Sequence, residues 1–170
     1  MWPQAPHRLS HNPNSGTKGR HRVMYRVYEG GTAREECDLT ALRQSCHAYD
    51  LWIDLSSGAI QERTKGDVVL TKKRMLGRLL LFLMVNAGKP YPPDELFEAV
   101  WGREVLGLSE GIAVRTSISR LRSLIEPAPP AWRYIMKTET SFWSPVGSYY
   151  FESGSNYCLI TPRTFALPVL

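Results

Sequence analysis

Seven consecutive apolar residues, Leu79 to Val85, constrain the fold of this chain more than any other feature. The run is far shorter than the roughly 20 apolar residues that span a bilayer, and it follows four cations, Lys72, Lys73, Arg74 and Arg78. It must therefore be buried in protein, and no membrane is expected. Met75, Leu76, Leu79, Leu80, Leu83 and Met84 recur with helical period, while Leu81, Phe82 and Val85 widen the stripe nearly all round. The pattern predicts a central helix, capped by Thr71 and stopped by the left-handed turn Asn86-Ala87-Gly88. An apolar content of 43% over 170 residues suffices for one such core, so a second large domain is not expected.

The elements around this helix follow from local pattern. Residues 1–20 are rich in Pro, His, Ser, Asn and Gly and read as a disordered basic arm. From Arg22 to Tyr28 the chain turns β-branched and aromatic. Tyr49 to Leu55 alternates, with Leu51, Ile53 and Leu55 on one face and Trp52 and Asp54 on the other. Turns at Ser57-Gly58 and Gly66-Asp67 extend this into an antiparallel meander through Val68 to Leu70, and Thr32 to His47 shows no decisive period. Pro92-Pro93 followed by Asp94 and Glu95 opens a second helix that carries Leu96, Val100 and Trp101 and ends at Gly102. Ser109 opens a third, over about 109–126, which Pro127, Pro129 and Pro130 terminate. Strand-like stretches follow at Tyr134 to Lys137, Ser148 to Phe151 and Tyr157 to Ile160.

Charge points to an anionic partner only locally. Arg8, Lys18, Arg20, Arg22 and Arg26, with no acid among residues 1–28, account for the whole net charge of +5. The third helix is more informative. Val114, Ile118, Leu121 and Ile125 commit one face to the core, so the opposite face presents Ile112, Thr116, Ser119, Arg120 and Ser123, with Arg115 and Arg122 on its shoulders. No acid interrupts it between Val114 and Ile125. Arginines that fork onto guanine edges or phosphates, beside small hydroxyl residues, suit a helix lying in a DNA major groove. Three arginines on a solvated helix face are common in proteins that never meet nucleic acid, so the face points to DNA only together with the order of elements.

Other chemistry is poorly supported. Cys37, Cys46 and His47 lack the paired spacing of zinc modules, and three cysteines suit a reducing compartment better than a disulfide framework. No nucleophile elbow, phosphate-cradling glycine loop or metalloprotease motif is present in the sequence. Neither an enzyme, a metal nor a cofactor is expected. The first residues lack the pattern of a secretory signal, which makes the cytoplasm the expected location.

The meander, three helices and aromatic end resemble the effector domain of OmpR/PhoB-type response regulators, over roughly Tyr49 to Ile160. Asp50-Leu51-Trp52-Ile53-Asp54 through Gly66-Asp67-Val68-Val69-Leu70-Thr71 is similar to that family's amino-terminal sheet. Asn86-Ala87-Gly88-Lys89 and Leu96-Phe97-Glu98-Ala99-Val100-Trp101-Gly102 resemble its glycine turn and second helix. Val114-Arg115-Thr116-Ser117-Ile118-Ser119-Arg120-Leu121-Arg122 resembles its recognition helix, and Gly154-Ser155-Asn156-Tyr157-Cys158-Leu159 its closing wing motif.

The resemblance implies an α+β winged helix-turn-helix: an N-terminal antiparallel meander, three helices and a C-terminal β-hairpin wing. The domain is expected over 21–160, with the wing in about 132–160 and a tail at 161–170. It implies a bacterial transcription regulator that binds double-stranded DNA through its third helix. Arg120 then takes a base, and Arg122 a base or phosphate unless it braces Glu126 at i+4. Arg115 and Thr116 face the groove, Ser119 meets a phosphate, and Trp101 approaches the backbone or simply packs as an aromatic cap. RNA polymerase contact through 103–108 and homodimerisation on DNA are further implications, and a protein-binding winged helix is the alternative.

Departures from the family pattern accompany the resemblance. Ser153 to Cys158 offers no basic residue to a minor groove, Pro92 replaces the usual hydroxyl cap, and Lys137 to Ser148 carries an insertion with Phe142 and Trp143, either a partner surface or packing beneath a loop. The stretch before Tyr49 is too short for a receiver domain, so no phosphorylatable aspartate is assigned.

Overall fold

The computed structural model describes residues 23–36, 38–70, 74–103, 107–128, 130–140 and 146–165. Strand β1 (Tyr25–Glu29) turns at Gly30-Gly31 into β2 (Thr32–Glu36), followed by the short helix α1 (Thr40–Gln44) and a 3-10 turn (Cys46–Ala48). The segment without a decisive period thus supplies an edge strand and an extra helix. The meander is β3 (Leu51–Asp54), β4 (Ala59–Glu62) and β5 (Gly66–Val69), antiparallel throughout as expected. Helices α2 (Arg74–Val85), α3 (Pro93–Trp101) and α4 (Leu108–Ile125) come next, then β6 (Ile135–Lys137), β7 (Tyr149–Phe151) and β8 (Tyr157–Pro162).

The sheet order is β2-β1-β8-β3-β4-β5, with β6 and β7 in a separate two-stranded sheet. This corrects the wing. Tyr157-Cys158-Leu159, expected to close it, instead lies in β8, parallel to β3 and antiparallel to β1 at the centre of the large sheet. The reason is burial on both faces: Tyr157 and Leu159 enter the main core while Cys158 and Ile160 enter a second one. A wing strand is covered on one side at most, whereas a doubly buried strand belongs inside a sheet. Burial also pushes the Cys158 thiol up to about 12, which leaves it inert. The absence of cations in 153–158 therefore says nothing of the wing, which is the β6–β7 hairpin.

The second core explains the other difference from expectation. The alternation of β3 is real, but its Trp52 face is closed by α1 through Leu39 and Leu42, so all four residues of β3 are buried. Asp54 survives there because Arg43 reaches it at 2.7 Å and the Ser56 amide donates at 2.9 Å. The fold also runs past the expected end of the domain. Thr161 and Pro162 complete β8, and Phe165 packs on the main core beside Gly77.

Helix α2 is the centre of that core, buried from Leu76 to Met84 except at Arg78. Its expected cap, Thr71, lies outside the described residues. Gly88 takes φ +81°, as the left-handed stop requires, and its N–H donates to the Phe151 carbonyl at 2.8 Å. Helix α3 begins after Pro92 without a side-chain cap and ends at left-handed Gly102 (φ +69°).

Two buried carboxylates brace the meander and set its pH response. Burial opposes ionisation of Asp54, but the Ser56, Arg43 and Ser57 side chains outweigh it and hold the pKa below the ordinary value. Glu62 is likewise held low against burial by Thr64, by the Thr64 and Lys65 amides and by the Tyr134 hydroxyl at 3.0 Å. Carboxyls with depressed pKa stabilise the fold above their unfolded values of about 4 and lose that contribution as pH falls through the folded values. Urea midpoints are expected to stay level from about pH 7 to 5 and to drop below about pH 4, less steeply in Asp54→Asn. An equal acid slope in parent and variant would rule out Asp54 as a source.

Candidate nucleic-acid interface

Helix α4 owes its orientation to four side chains: Val114, Leu121 and Ile125 are fully buried and Ile118 is 1% exposed. Once that row faces α2 and α3, Arg115, Thr116, Ser119, Arg120 and Ser123 are necessarily outside, and all five are exposed. The helix starts at Leu108 after an extended Gly107, without the side-chain cap that Ser109 promised. Ser109 instead donates to Glu110, an exposed first-turn acid whose pKa it lowers. No acid lies on the helix between Val114 and Ile125.

Beside this face, the start of α2, the end of α3 and α4 enclose an open cleft of about 660 Å³, lined among others by Arg74, Trp101, Thr116, Arg120 and Ser123. Trp101 is half-buried, stacked on Phe97 at 5.1 Å and 10°, so its ring both packs and shows an edge to the cleft. Its two readings are therefore compatible. Arg103 covers the other side of the pair, 5.4 Å from the Phe97 ring. Arg74 joins the lining of the cleft although no local signal in the sequence marks it. It was visible only as one cation among several before the central helix, and nothing local says that this turn abuts α4.

Arg122 departs from expectation. Its Nε and Nη2 donate to the Ile135 carbonyl at 3.0 and 2.7 Å, and its guanidinium lies 4.4 Å from the Trp132 ring. Burial lowers its pKa, and nearby Tyr149 and Glu126 draw it back up. Its fork is thus committed to the hairpin rather than to Glu126. That carboxylate is fully buried and accepts instead from the amides of Arg133 (2.6 Å), Tyr134 (3.1 Å) and Ile135 (2.7 Å). From the other side Lys65 donates to the carbonyls of Ser123 and Glu126, where a cation also meets the negative end of the helix dipole.

The hairpin is held to the same helices. Tyr91 and Tyr149 exchange backbone hydrogen bonds at 2.9 and 2.8 Å, and the Tyr91 ring meets Phe82 edge-on at 4.8 Å. Beyond Lys137 the strands are closed by Thr138 and Ser148, and Gly147 (φ +72°) has no room for a side chain because a Cβ would fall 2.7 Å from the Thr138 carbonyl. The aromatic insertion residues Phe142 and Trp143 lie outside the described residues, as do residues 104–106 of the 103–108 connection.

Two helices joined by a short connection, the second exposed and arginine-bearing, with a hairpin fixed to its exit, define a winged helix-turn-helix. Residues 65–140 match the family described as transcriptional regulatory protein, C terminal. This segment, somewhat under half of the chain, is thus similar to the effector domains of transcriptional regulators, the OmpR/PhoB type that its motifs resemble. Among solved structures, the response regulator DrrB of Thermotoga maritima, an OmpR/PhoB homologue, matches with 28% identity and a TM-score of 0.37. The match covers 61% of this chain, which spans 44% of that protein. No curated protein matches the chain. No helix among the described residues is long and apolar enough to cross a membrane.

Proposed function

We propose that the chain binds double-stranded DNA sequence-specifically, with α4 in the major groove and the β6–β7 hairpin beside it. The observation that carries this reading is the exposed row of Arg115, Thr116, Ser119 and Arg120, free of acids and backed by a fully buried row. Arg120 takes a base edge, Arg115 a base or phosphate, and Ser119 donates to a phosphate oxygen. Trp101 and Arg74 flank the backbone from the adjoining cleft. Arg122 holds the wing rather than touching the duplex.

Fluorescence anisotropy with random-sequence duplex at two salt concentrations tests this. Binding is expected to weaken by roughly 0.9 log units per log unit of salt for each phosphate neutralised. Arg115→Ala with Arg120→Ala is expected to weaken it about tenfold, since these exposed side chains leave the core untouched. Binding that ignores both salt and these arginines would sink the proposal and favour a protein partner, RNA polymerase included. A pair of chains on adjacent half-sites would appear in the same titration as a steeper isotherm.

A further inference from the structure

Ile112 is 55% exposed, on the same side of α4 as the residues proposed to meet DNA. It stands four residues before Thr116 and eight before Arg120, so the three form one row along the helix. Thr116 adds a second methyl beside it, and all three are exposed. The row therefore runs from a branched hydrocarbon, through a methyl and hydroxyl, to a guanidinium.

The N-terminal residues of a recognition helix are among those that reach base edges. Most groups on those edges are donors or acceptors, and an isoleucine pressed on them would strip water while giving no hydrogen bond in return. One group differs: the C5-methyl of thymine is the sole apolar feature that the major groove offers. We infer that Ile112 is a specificity-determining residue that packs on a thymine methyl, an inference that rests on the DNA-binding role of α4 proposed above. Eight residues of helix span about 12 Å, so the thymine lies within about four base pairs of the contact made by Arg120.

The test begins with selection of duplexes from a random-sequence pool by the full 170-residue chain. Failure to enrich a motif would overturn sequence-specific binding and this inference with it. With an enriched duplex in hand, each thymine is replaced singly by deoxyuridine, which deletes the methyl alone, and anisotropy is measured for the parent, Ile112→Val and Ile112→Ala. One position is expected at which loss of the methyl weakens the parent about fourfold, the worth of one buried methyl group. Ile112→Val should keep part of that discrimination and Ile112→Ala should lose it, with unchanged circular dichroism. An enriched motif at which parent and Ile112→Ala respond identically to every deoxyuridine would overturn the inference while leaving DNA binding intact.

Discussion

Replacing Glu126 with alanine is expected to lower stability by about 3 kcal/mol or more, since hydrogen bonds to a charged acceptor contribute about 1.5–3 kcal/mol each and three are lost together. The amides of Arg133, Tyr134 and Ile135 all point at this carboxylate, and the Tyr134 and Ile135 residues are themselves buried. Water cannot replace the acceptor cheaply there, so the donors bear their desolvation unpaid. Glu126→Gln keeps one oxygen but turns an amide donor toward N–H groups, and it should lose about half as much. A fall in melting temperature of about 10 °C for alanine would match a domain of this size. The idea fails if both variants remain within about 1 kcal/mol of the parent in urea titrations.

The effect reaches function through geometry. Glu126 is the residue at which α4 stops and the chain turns toward β6, so its carboxylate sets the angle between the reading helix and the wing. Lys65, reaching across from the β4–β5 turn, fixes the same helix end to the meander. If α4 binds DNA as proposed, loosening either should weaken that binding without removing any of the groups proposed to touch DNA.

Arg122→Ala is expected to cost about 2–3 kcal/mol of stability. The forked donation to the Ile135 carbonyl accounts for most of this and the stack on Trp132 for about 1 kcal/mol. Arg122→Lys should recover little, because a single ammonium cannot fork onto the carbonyl and lie flat on the indole together. The pattern distinguishes a wing brace from a DNA contact. A brace lowers the melting temperature in the absence of DNA, whereas a contact lowers affinity and the salt slope at an unchanged melting temperature. The second outcome would return Arg122 to the interface and contradict its role here.

Much of this was legible in the sequence because single-element periodicity carries it. The apolar rows of α2 and α4, the stops at Gly88 and Gly102 and the prolines after Glu126 each act within one or two turns of chain. The exposed face of α4 follows from its buried face by geometry alone. The meander was legible too, since alternation and glycine turns repeat over a few residues.

The misreadings share a cause. Gly154 to Leu159 has the local chemistry of a wing, yet β8 pairs with β3, more than a hundred residues earlier, because both of its faces have cores to fill. Arg122 reads as one more exposed cation until the hairpin folds back and offers it a carbonyl and an indole. Trp52 and Asp54 look like an outward face until α1, in a segment without clear period, covers them.

The sequence by itself determined that the three longer helices form, which side of each is apolar and which residues of α4 face away from the core, because these depend on backbone geometry over a few residues. Only the tertiary structure decided which strands form the hairpin beside α4, that Arg122 is committed to that hairpin and what holds α4 at its angle. Those outcomes depend on contacts between segments far apart in the chain, and local pattern carries no information about which distant partner will satisfy a buried polar group or an open face of a sheet.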